Sequence, residues 1–385
     1  MVKLQGNLSS KLHGISESIF ATMSRLANEE NAINLSQGFP DFNCPKELIA
    51  LVNKYMKEGH NQYAPMPGYI GLKERIVEKV ENLYGAKYDA DKEVIITAGA
   101  TQAIYTAITA IIKEKDEVII FEPAYDSYVP SILLSKGVPK YVTLNAPDYK
   151  INWDEVKRLI SFKTKMIILN TPHNPTGSVL NDQDMKELEK LVANRDIIIL
   201  SDEVYEHIIF DGMKHESISK YPSLIDKSFV ISSFGKTYHT TGWKMGYVLA
   251  PENLMKEFKK VFQFLMFAAI TPIQYAYADF MSNESHYLEL NDFYQKKRDL
   301  FVKGLEGSRF EIIPCHGTYF QCLSYKGISE EADVDYAKTL TINSKVASVP
   351  ISVFYHDKID HKVLRFCFAK SADTIKKATE ILCKI

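Results

Sequence analysis

Lys236 stands in the string Ser232-Ser-Phe-Gly-Lys-Thr-Tyr238, and Asp202 closes the apolar run Ile197-Ile-Ile-Leu-Ser-Asp202. A lysine amine condenses with an aldehyde, and an aspartate at a strand end holds a ring nitrogen protonated. The two requirements together describe a pyridoxal phosphate (PLP) site, with a lysine Schiff base and an aspartate–pyridinium pair. Either residue alone means little, since most Lys and Asp residues are solvated surface charges. A third element, Asn170-Thr-Pro-His-Asn-Pro-Thr-Gly177, lies between a strand and a helix and makes the combination specific. A fourth, Thr97-Ala-Gly-Ala-Thr-Gln102, ends a strand and opens a helix. Its small residues let backbone N–H groups approach an anion, and a helix N-terminus favours phosphate. By itself that string reads equally well as a tight turn. Neither a dinucleotide-binding GxGxxG nor a P-loop string occurs, so those readings have no support.

These residues need a scaffold, and the middle of the chain alternates β-branched runs with amphipathic stretches. Candidate strands are Glu93–Thr97, Glu117–Phe121, Lys140–Leu144, Lys165–Asn170, Asp196–Asp202, Phe229–Ser233 and Gly246–Ala250. Several are apolar without alternation, which suits strands buried on both faces of a mostly parallel sheet. Candidate helices between them are Gln102–Ile112, Ser127–Lys136, Asn152–Leu159 and Asp182–Asn194. The last has Asn181 and Asp182 as cap residues and Met185, Leu188, Leu191 and Val192 on one face. The pattern predicts an α/β fold, with roughly seven strands covered by helices and a ligand crevice where strand C-termini meet.

The alternation stops near Pro251. Long helices follow at Asn253–Phe267, Pro272–Met281 and Ser285–Leu305. The end of the chain mixes short strands (Thr318–Leu323, Val363–Phe368) with helices at Asp333–Ser344 and Asp373–Cys383. The expected organisation is an N-terminal arm (1–40) packing with a small α+β domain (276–385), and a large cofactor-binding domain between them (41–275).

Bulk properties narrow the class. A chain of 385 residues is long for one core and favours two domains. Its 46 basic and 48 acidic residues nearly cancel, and no long Lys/Arg run offers a nucleic-acid footprint. The five cysteines (Cys44, Cys315, Cys322, Cys367, Cys383) form no CxxC pair and read as free thiols. Met1-Val-Lys-Leu-Gln-Gly-Asn lacks a signal-peptide stretch, and Phe264–Ile270 is far too short to cross a bilayer. The expectation is a cytoplasmic protein with no membrane or nucleic-acid partner and no metal.

Five ordered strings carry a resemblance: Ala-Gly-Ala-Thr-Gln (98–102), Asn-Pro-Thr-Gly (174–177), Ser-Asp-Glu-Val-Tyr (201–205), Ser-Phe-Gly-Lys (233–236) and Arg-Phe-Cys-Phe-Ala (365–369). The chain resembles the class I/II PLP-dependent aminotransferases of fold type I over essentially its whole length. Leu35-Ser-Gln-Gly-Phe-Pro-Asp-Phe42, Glu122-Pro-Ala-Tyr-Asp126 and Thr241-Gly-Trp-Lys-Met-Gly246 bring it nearest the methionine and kynurenine–oxoglutarate aminotransferases.

The resemblance implies a role for each matching position. Lys236 would form the Schiff base and shuttle the substrate proton, which requires a neutral amine. Asp202 would pair with the pyridinium nitrogen. Tyr205 and Asn174 would bond the phenolic oxygen, and Tyr125 would stack on the ring. Ala100 and Thr101 N–H groups, the Ser233 hydroxyl and the Lys244 ammonium would hold the phosphate, with Tyr63 reaching it from a second subunit. Arg365 would clamp the substrate carboxylate, with the Gly38 N–H and Asn174 beside it. Many aminotransferases have Arg where Lys244 stands, so here that contact is a point charge.

No candidate appears for a second Arg that would bind an aspartate side chain. Phe20, Tyr63, Tyr125, Phe267 and Tyr319 are instead available for an apolar pocket. The blander readings are core packing for Phe20, Phe267, Tyr205 and Tyr125 and an ion-pair role for Arg365; His173 would be a spare acid/base whose role Lys236 already fills, and His239 either shapes the pocket or is solvated or sits behind the reacting groups.

The function implied is an aminotransferase moving the amino group of a methionine-like or aromatic L-amino acid to a 2-oxo acid. Such an enzyme works by ping-pong kinetics through pyridoxamine phosphate, as a homodimer. One rival is a cysteine-S-conjugate β-lyase on the same scaffold. A PLP-sensing regulator domain would need a DNA-binding segment, for which no room is expected before Leu35 or after Lys370.

Overall fold

The computed structural model describes residues 10–385 apart from His13 and Ser16, so the first nine residues of the expected arm fall outside the described residues. Seven strands pair in the spatial order Val94–Thr97, Gly246–Leu249, Ser228–Ser233, Ile198–Asp202, Thr164–Asn170, Glu117–Glu122, Val138–Thr143. Gly246–Leu249 runs antiparallel to both neighbours, and every other pairing is parallel. This is the mostly parallel α/β sheet expected of fold type I, and each predicted strand lies within two residues of its observed ends.

The strands are apolar throughout because both faces are covered. Side chains alternate across the sheet, so Ile95, Ile120, Ile168, Leu200, Ile231 and Val248 enter one core cluster. Their neighbours Ile96, Ile119, Ile167, Ile199, Val230 and Leu249 enter the other. Helix Gly99–Ile111 packs on the first side together with Glu252–Leu265. Burying each such side chain stabilises the fold by about 1.5–3 kcal/mol. A change such as Ile168→Ala would cost about 2–5 kcal/mol.

A second, four-stranded antiparallel sheet runs Val349–Pro350, Val363–Cys367, Phe320–Ser324, Glu311–Ile312. The N-terminal segment is tied to this part of the molecule. Ile33–Asn34 pairs in parallel with Val346–Ala347, and Leu35 accepts from the Cys367 N–H at 2.8 Å. That tie carries Ser36–Gly38 along the strand that holds Arg365.

Three helices complete the described chain ahead of the sheet, Ile19–Glu29, Lys46–Lys57 and Ile70–Tyr84. Thr271–Phe280 packs against the latter two and runs through the expected change of unit at residue 275. The predicted helix Ser285–Leu305 is two elements, Ser285–Leu288 and Leu290–Lys303. The short first element is anchored separately, with His286 stacked on Phe280 at 3.8 Å and the Tyr287 ring tilted against His207 at 5.1 Å. Among the described residues no helix is long and apolar enough to cross a membrane.

Candidate active site

One edge of the large sheet supplies most of the site. Asp202 ends one parallel strand, and Ser233 ends the next and leads directly into the short helix Phe234–Thr237 that carries Lys236. Asn170 ends a third strand, and Thr97 ends the edge strand just before helix Gly99–Ile111. The antiparallel strand begins at this same edge with Gly246. A cavity of about 230 Å³ opens there, where an open α/β sheet places its ligands.

The end of the cavity beside helix Gly99–Ile111 is built for an anion. Gly99 takes φ +78°, a left-handed conformation that lets the chain turn from strand to helix. The first N–H groups of a helix have no partner within it, and here they belong to residues lining the cavity, Ala100 and Thr101. Ser233 and Lys244 line the same end. Gly246 allows the strand to meet this turn closely, since a Cβ there would lie 2.7 Å from the Ser232 carbonyl and 3.0 Å from the Ala100 nitrogen. Across the cavity the Thr101 hydroxyl lies 3.2 Å from the Tyr125 hydroxyl.

Beyond the anion end stand a carboxylate and an amine with opposed perturbations. Burial raises the Asp202 carboxyl from 3.8 to about 6, against hydrogen bonds from the Tyr128 hydroxyl and the Val204 N–H that favour the ionised form. The Tyr128 hydroxyl donates to Asp202 Oδ2 at 2.6 Å. Burial lowers the Lys236 amine from 10.5 to about 8, and the nearby Arg365 and Lys244 charges push the same way. Lys236 Nζ donates to the Tyr319 hydroxyl at 2.9 Å and to the Gly38 carbonyl at 3.3 Å.

Arg365 forms the far wall and is 1% exposed. Its Nη1 donates to Asn174 Oδ1 at 2.8 Å and its Nη2 to the Ser36 carbonyl at 3.1 Å. Nε is buried without a partner. The guanidinium lies 3.9 Å from the Phe320 ring centre and 5.1 Å from that of Phe20. Among the described residues it makes no ion pair, so a buried cation faces the cavity with neutral acceptors only. Burying an unpaired charge is costly, and an incoming carboxylate would relieve that cost. The donor set therefore fits PLP and an amino acid in kind, with an anion cradle, a carboxylate for a ring nitrogen, a depressed amine for an aldehyde, and a guanidinium for an α-carboxylate.

Residues 30–382 match the model of the family described as "Aminotransferase class I and II". The chain belongs to that family. It is 47% identical to the methionine aminotransferase of Escherichia coli strain K12 over 97% of both chains. It is 32% identical to a kynurenine–oxoglutarate transaminase of Dictyostelium discoideum, over 98% of this chain and 96% of that one. A solved Escherichia coli structure, reported to identify a methionine aminotransferase function, superposes with a TM-score of 0.96 at 46% identity and covers 98% of this chain and 100% of its own. The family and these relatives make the chain an enzyme, a transaminase.

The cavity brings together eleven of the twelve residues that the resemblance gave a cofactor or substrate role: Lys236, Asp202, Tyr205, Asn174, Tyr125, Ala100, Thr101, Ser233, Lys244, Arg365 and Gly38. Tyr205 is buried, its hydroxyl is pushed upward by burial, and its ring meets Tyr319 edge-on at 5.2 Å. Tyr63 stands apart. It is 83% exposed and packs edge-on against Phe267, itself 48% exposed, so neither ring lines the cavity of its own chain.

Tyr319 also departs from the expected apolar pocket. Its ring is wholly buried and its hydroxyl bridges Lys236 and the Gly38 carbonyl, to which it donates at 2.6 Å. Gly38 thus presents its carbonyl to the amine, and its Cα is pressed so close to Phe320 that a Cβ would come within 2.8 Å of that ring. His173 bonds Thr176 within its own loop, and its imidazole is pushed down to about 4 by burial. Sequence reasoning passed over Phe320, Gln37 and Tyr128. Gln37 lies inside the quoted motif Leu35–Phe42 and Phe320 inside the predicted strand Thr318–Leu323, while the motif Glu122-Pro-Ala-Tyr-Asp126 ends two residues before Tyr128.

Proposed function

We propose that this aminotransferase binds PLP in the cavity and takes the amino group from methionine-like or aromatic L-amino acids. It passes that group to a 2-oxo acid by ping-pong exchange. Bound PLP supplies an aldehyde that takes up the amino group and a ring that accepts the electron pair left when the donor Cα–H bond breaks. The Ala100 and Thr101 N–H groups, the Ser233 hydroxyl and Lys244 hold its phosphate, Asp202 its ring nitrogen, and Tyr125 and Tyr205 its ring and phenolic oxygen. Lys236 Nζ, with its amine brought down to about 8, is neutral in a useful fraction near neutral pH and accepts the donor's Cα proton.

Arg365 carries the substrate reading. A buried guanidinium without a carboxylate partner, held by Asn174 and the Ser36 carbonyl, is oriented to take an α-carboxylate through two parallel hydrogen bonds. Phe20, Phe320, Tyr125 and Val204 give the cavity an apolar lining, and Arg365 is the one guanidinium lining it among the described residues. That composition favours an apolar or aromatic side chain over a second carboxylate, in line with the name of the Escherichia coli relative.

We also propose a homodimer. Tyr63 is exposed beside Phe267, and Phe264 is 86% exposed nearby in sequence, so a second copy would both cover these rings and receive Tyr63 near its phosphate end. The deciding experiment adds methionine, phenylalanine, kynurenine and aspartate separately to PLP-loaded protein and follows the visible absorbance. Fast bleaching with methionine or the aromatic donors and slow bleaching with aspartate is expected. Protein that takes up no PLP, or that bleaches fastest with aspartate, overturns the reading.

A further inference from the structure

Tyr128 is the buried polar group next to the site that none of the roles above uses. It opens the helix Tyr128–Leu134, is 2% exposed, and sets its ring edge-on to Tyr125 at 5.6 Å and 79°. Its hydroxyl reaches under the cavity to Asp202 Oδ2 at 2.6 Å. That is the short distance of a hydroxyl bonded to an ionised oxygen. The other oxygen, Oδ1, has only the Val204 N–H at 3.4 Å. One tyrosine therefore supplies the single strong contact that fixes the plane of this carboxylate.

We propose that Tyr128 is a positioning residue, acting through Asp202 to keep that carboxylate ionised and aimed at the ring nitrogen of the bound cofactor. The physical need is plain. Asp202 must be charged to pair with a protonated ring nitrogen, yet its burial favours the neutral acid. A donor to the charged form works against that tendency, and an acceptor in the same place would reinforce it. The other titratable groups around Asp202 are Lys236 after the neighbouring strand, Glu203 and Tyr205 on its own segment, and Tyr125 ahead of the Tyr128 helix. Of these only Lys236 carries a charge that favours the ionised form, and its amine is committed to the aldehyde when the cofactor is bound. Tyr128 is then the strong support that remains, beside the long contact from the Val204 N–H. The proposal rests on the assignment of Asp202 to the ring nitrogen.

The test is a double-mutant cycle read by cofactor affinity. Stripped wild-type protein, Tyr128→Phe, Asp202→Asn and the double variant are titrated with PLP between about pH 5 and 9, and Kd is read from the visible absorbance. Tyr128→Phe removes one oxygen and keeps the ring contact with Tyr125. A lost hydrogen bond to a charged group predicts that its acid limb of affinity moves up by roughly one to two pH units, with binding near pH 6 weakened roughly tenfold. In the Asp202→Asn background the same change should alter Kd by less than about twofold, because the ionised carboxylate it acts through is gone and the remaining amide holds no charge to support. Equal weakening by Tyr128→Phe at every pH, or an undiminished effect in the Asp202→Asn background, overturns the proposal and leaves Tyr128 a packing residue. Asp202→Asn binding PLP as tightly as wild type at all pH overturns the assignment of Asp202 and the proposal with it.

Discussion

Replacing Asp202 by asparagine (Asp202→Asn) isolates the cost of keeping an ionised carboxylate under the cavity. Burial raises this carboxyl from 3.8 to about 6, and each pKa unit corresponds to about 1.4 kcal/mol. The cofactor-free protein therefore gives up about 3 kcal/mol of stability to the ionised form. The direction follows from proton binding. The folded acid holds its proton more tightly than the unfolded one, so the penalty is absent below pH 3.8, grows through the interval, and is complete above about 6. An amide of the same shape carries no such penalty, and its oxygen still accepts from Tyr128. With an unfolding entropy near 2.1 cal/mol/K per residue, a chain of 385 residues converts about 3 kcal/mol into a rise of about 4 °C in Tm. The assay is thermal unfolding of stripped wild-type and variant protein at about pH 8 and pH 4, with the same measurement repeated in saturating PLP. The variant should gain about 4 °C at the higher pH and little at the lower, and should lose part of the stabilisation that PLP confers on wild type. No gain at pH 8, or an equal gain at pH 4, refutes the assignment of a strained ionised carboxylate.

Arg365→Ala should raise KM for every amino donor about a hundredfold, from the loss of charge-assisted hydrogen bonds, while the visible absorbance of bound PLP stays intact; unchanged KM would remove Arg365 from the substrate site. Gly246→Ala should lower Tm and weaken PLP, because its Cβ would meet backbone atoms at 2.7 and 3.0 Å that cannot swing aside; a destabilisation of about 1–3 kcal/mol is expected, and an unchanged Tm would show that the strand and helix can separate there. The rate at which stripped protein takes up PLP should rise with pH and level off above about 8, since only the neutral Lys236 amine condenses with an aldehyde and burial halves its protonation there. A rate still climbing at about pH 10 would mean an ordinary lysine. Tyr63→Phe should weaken PLP in the assembled protein while leaving the fold intact, and an unchanged Kd would place its hydroxyl away from any phosphate.

The sheet was legible because its strands have no ambiguous face. Met166-Ile-Ile-Leu169 and Ile197-Ile-Ile-Leu200 are apolar at consecutive positions, which only a strand covered on both sides tolerates at that length. The site was legible for a related reason, since its residues end those strands and the sheet edge gathers them. Helix Ile70–Tyr84 was not among the predicted elements, although Leu72, Ile76 and Val80 recur every four residues and are all buried. Tyr63 was a different matter. Its proposed place beside a cavity depends on a second chain, and nothing in one sequence fixes where that chain sits. Tyr128 was hidden by its type, since a tyrosine in an amphipathic stretch reads as packing until the tertiary fold brings its hydroxyl to Asp202.

Lys236 and Asp202 face one physical pressure and need opposite outcomes from it. Burial neutralises both, lowering the amine to about 8 and raising the acid to about 6. In the proposed function neutrality is the working state of Lys236, and the chain leaves it so. The contacts of Nζ are a carbonyl and a phenol, with no carboxylate bonded to it to hold the proton on. The proposed pairing with a ring nitrogen needs Asp202 charged, and there the chain intervenes with a donor at 2.6 Å. Exchanging the two kinds of partner would protonate the amine and neutralise the acid within the same cavity. The hydrogen-bonding partners placed around each group, more than its burial, therefore decide whether these two residues can do the chemistry their types allow.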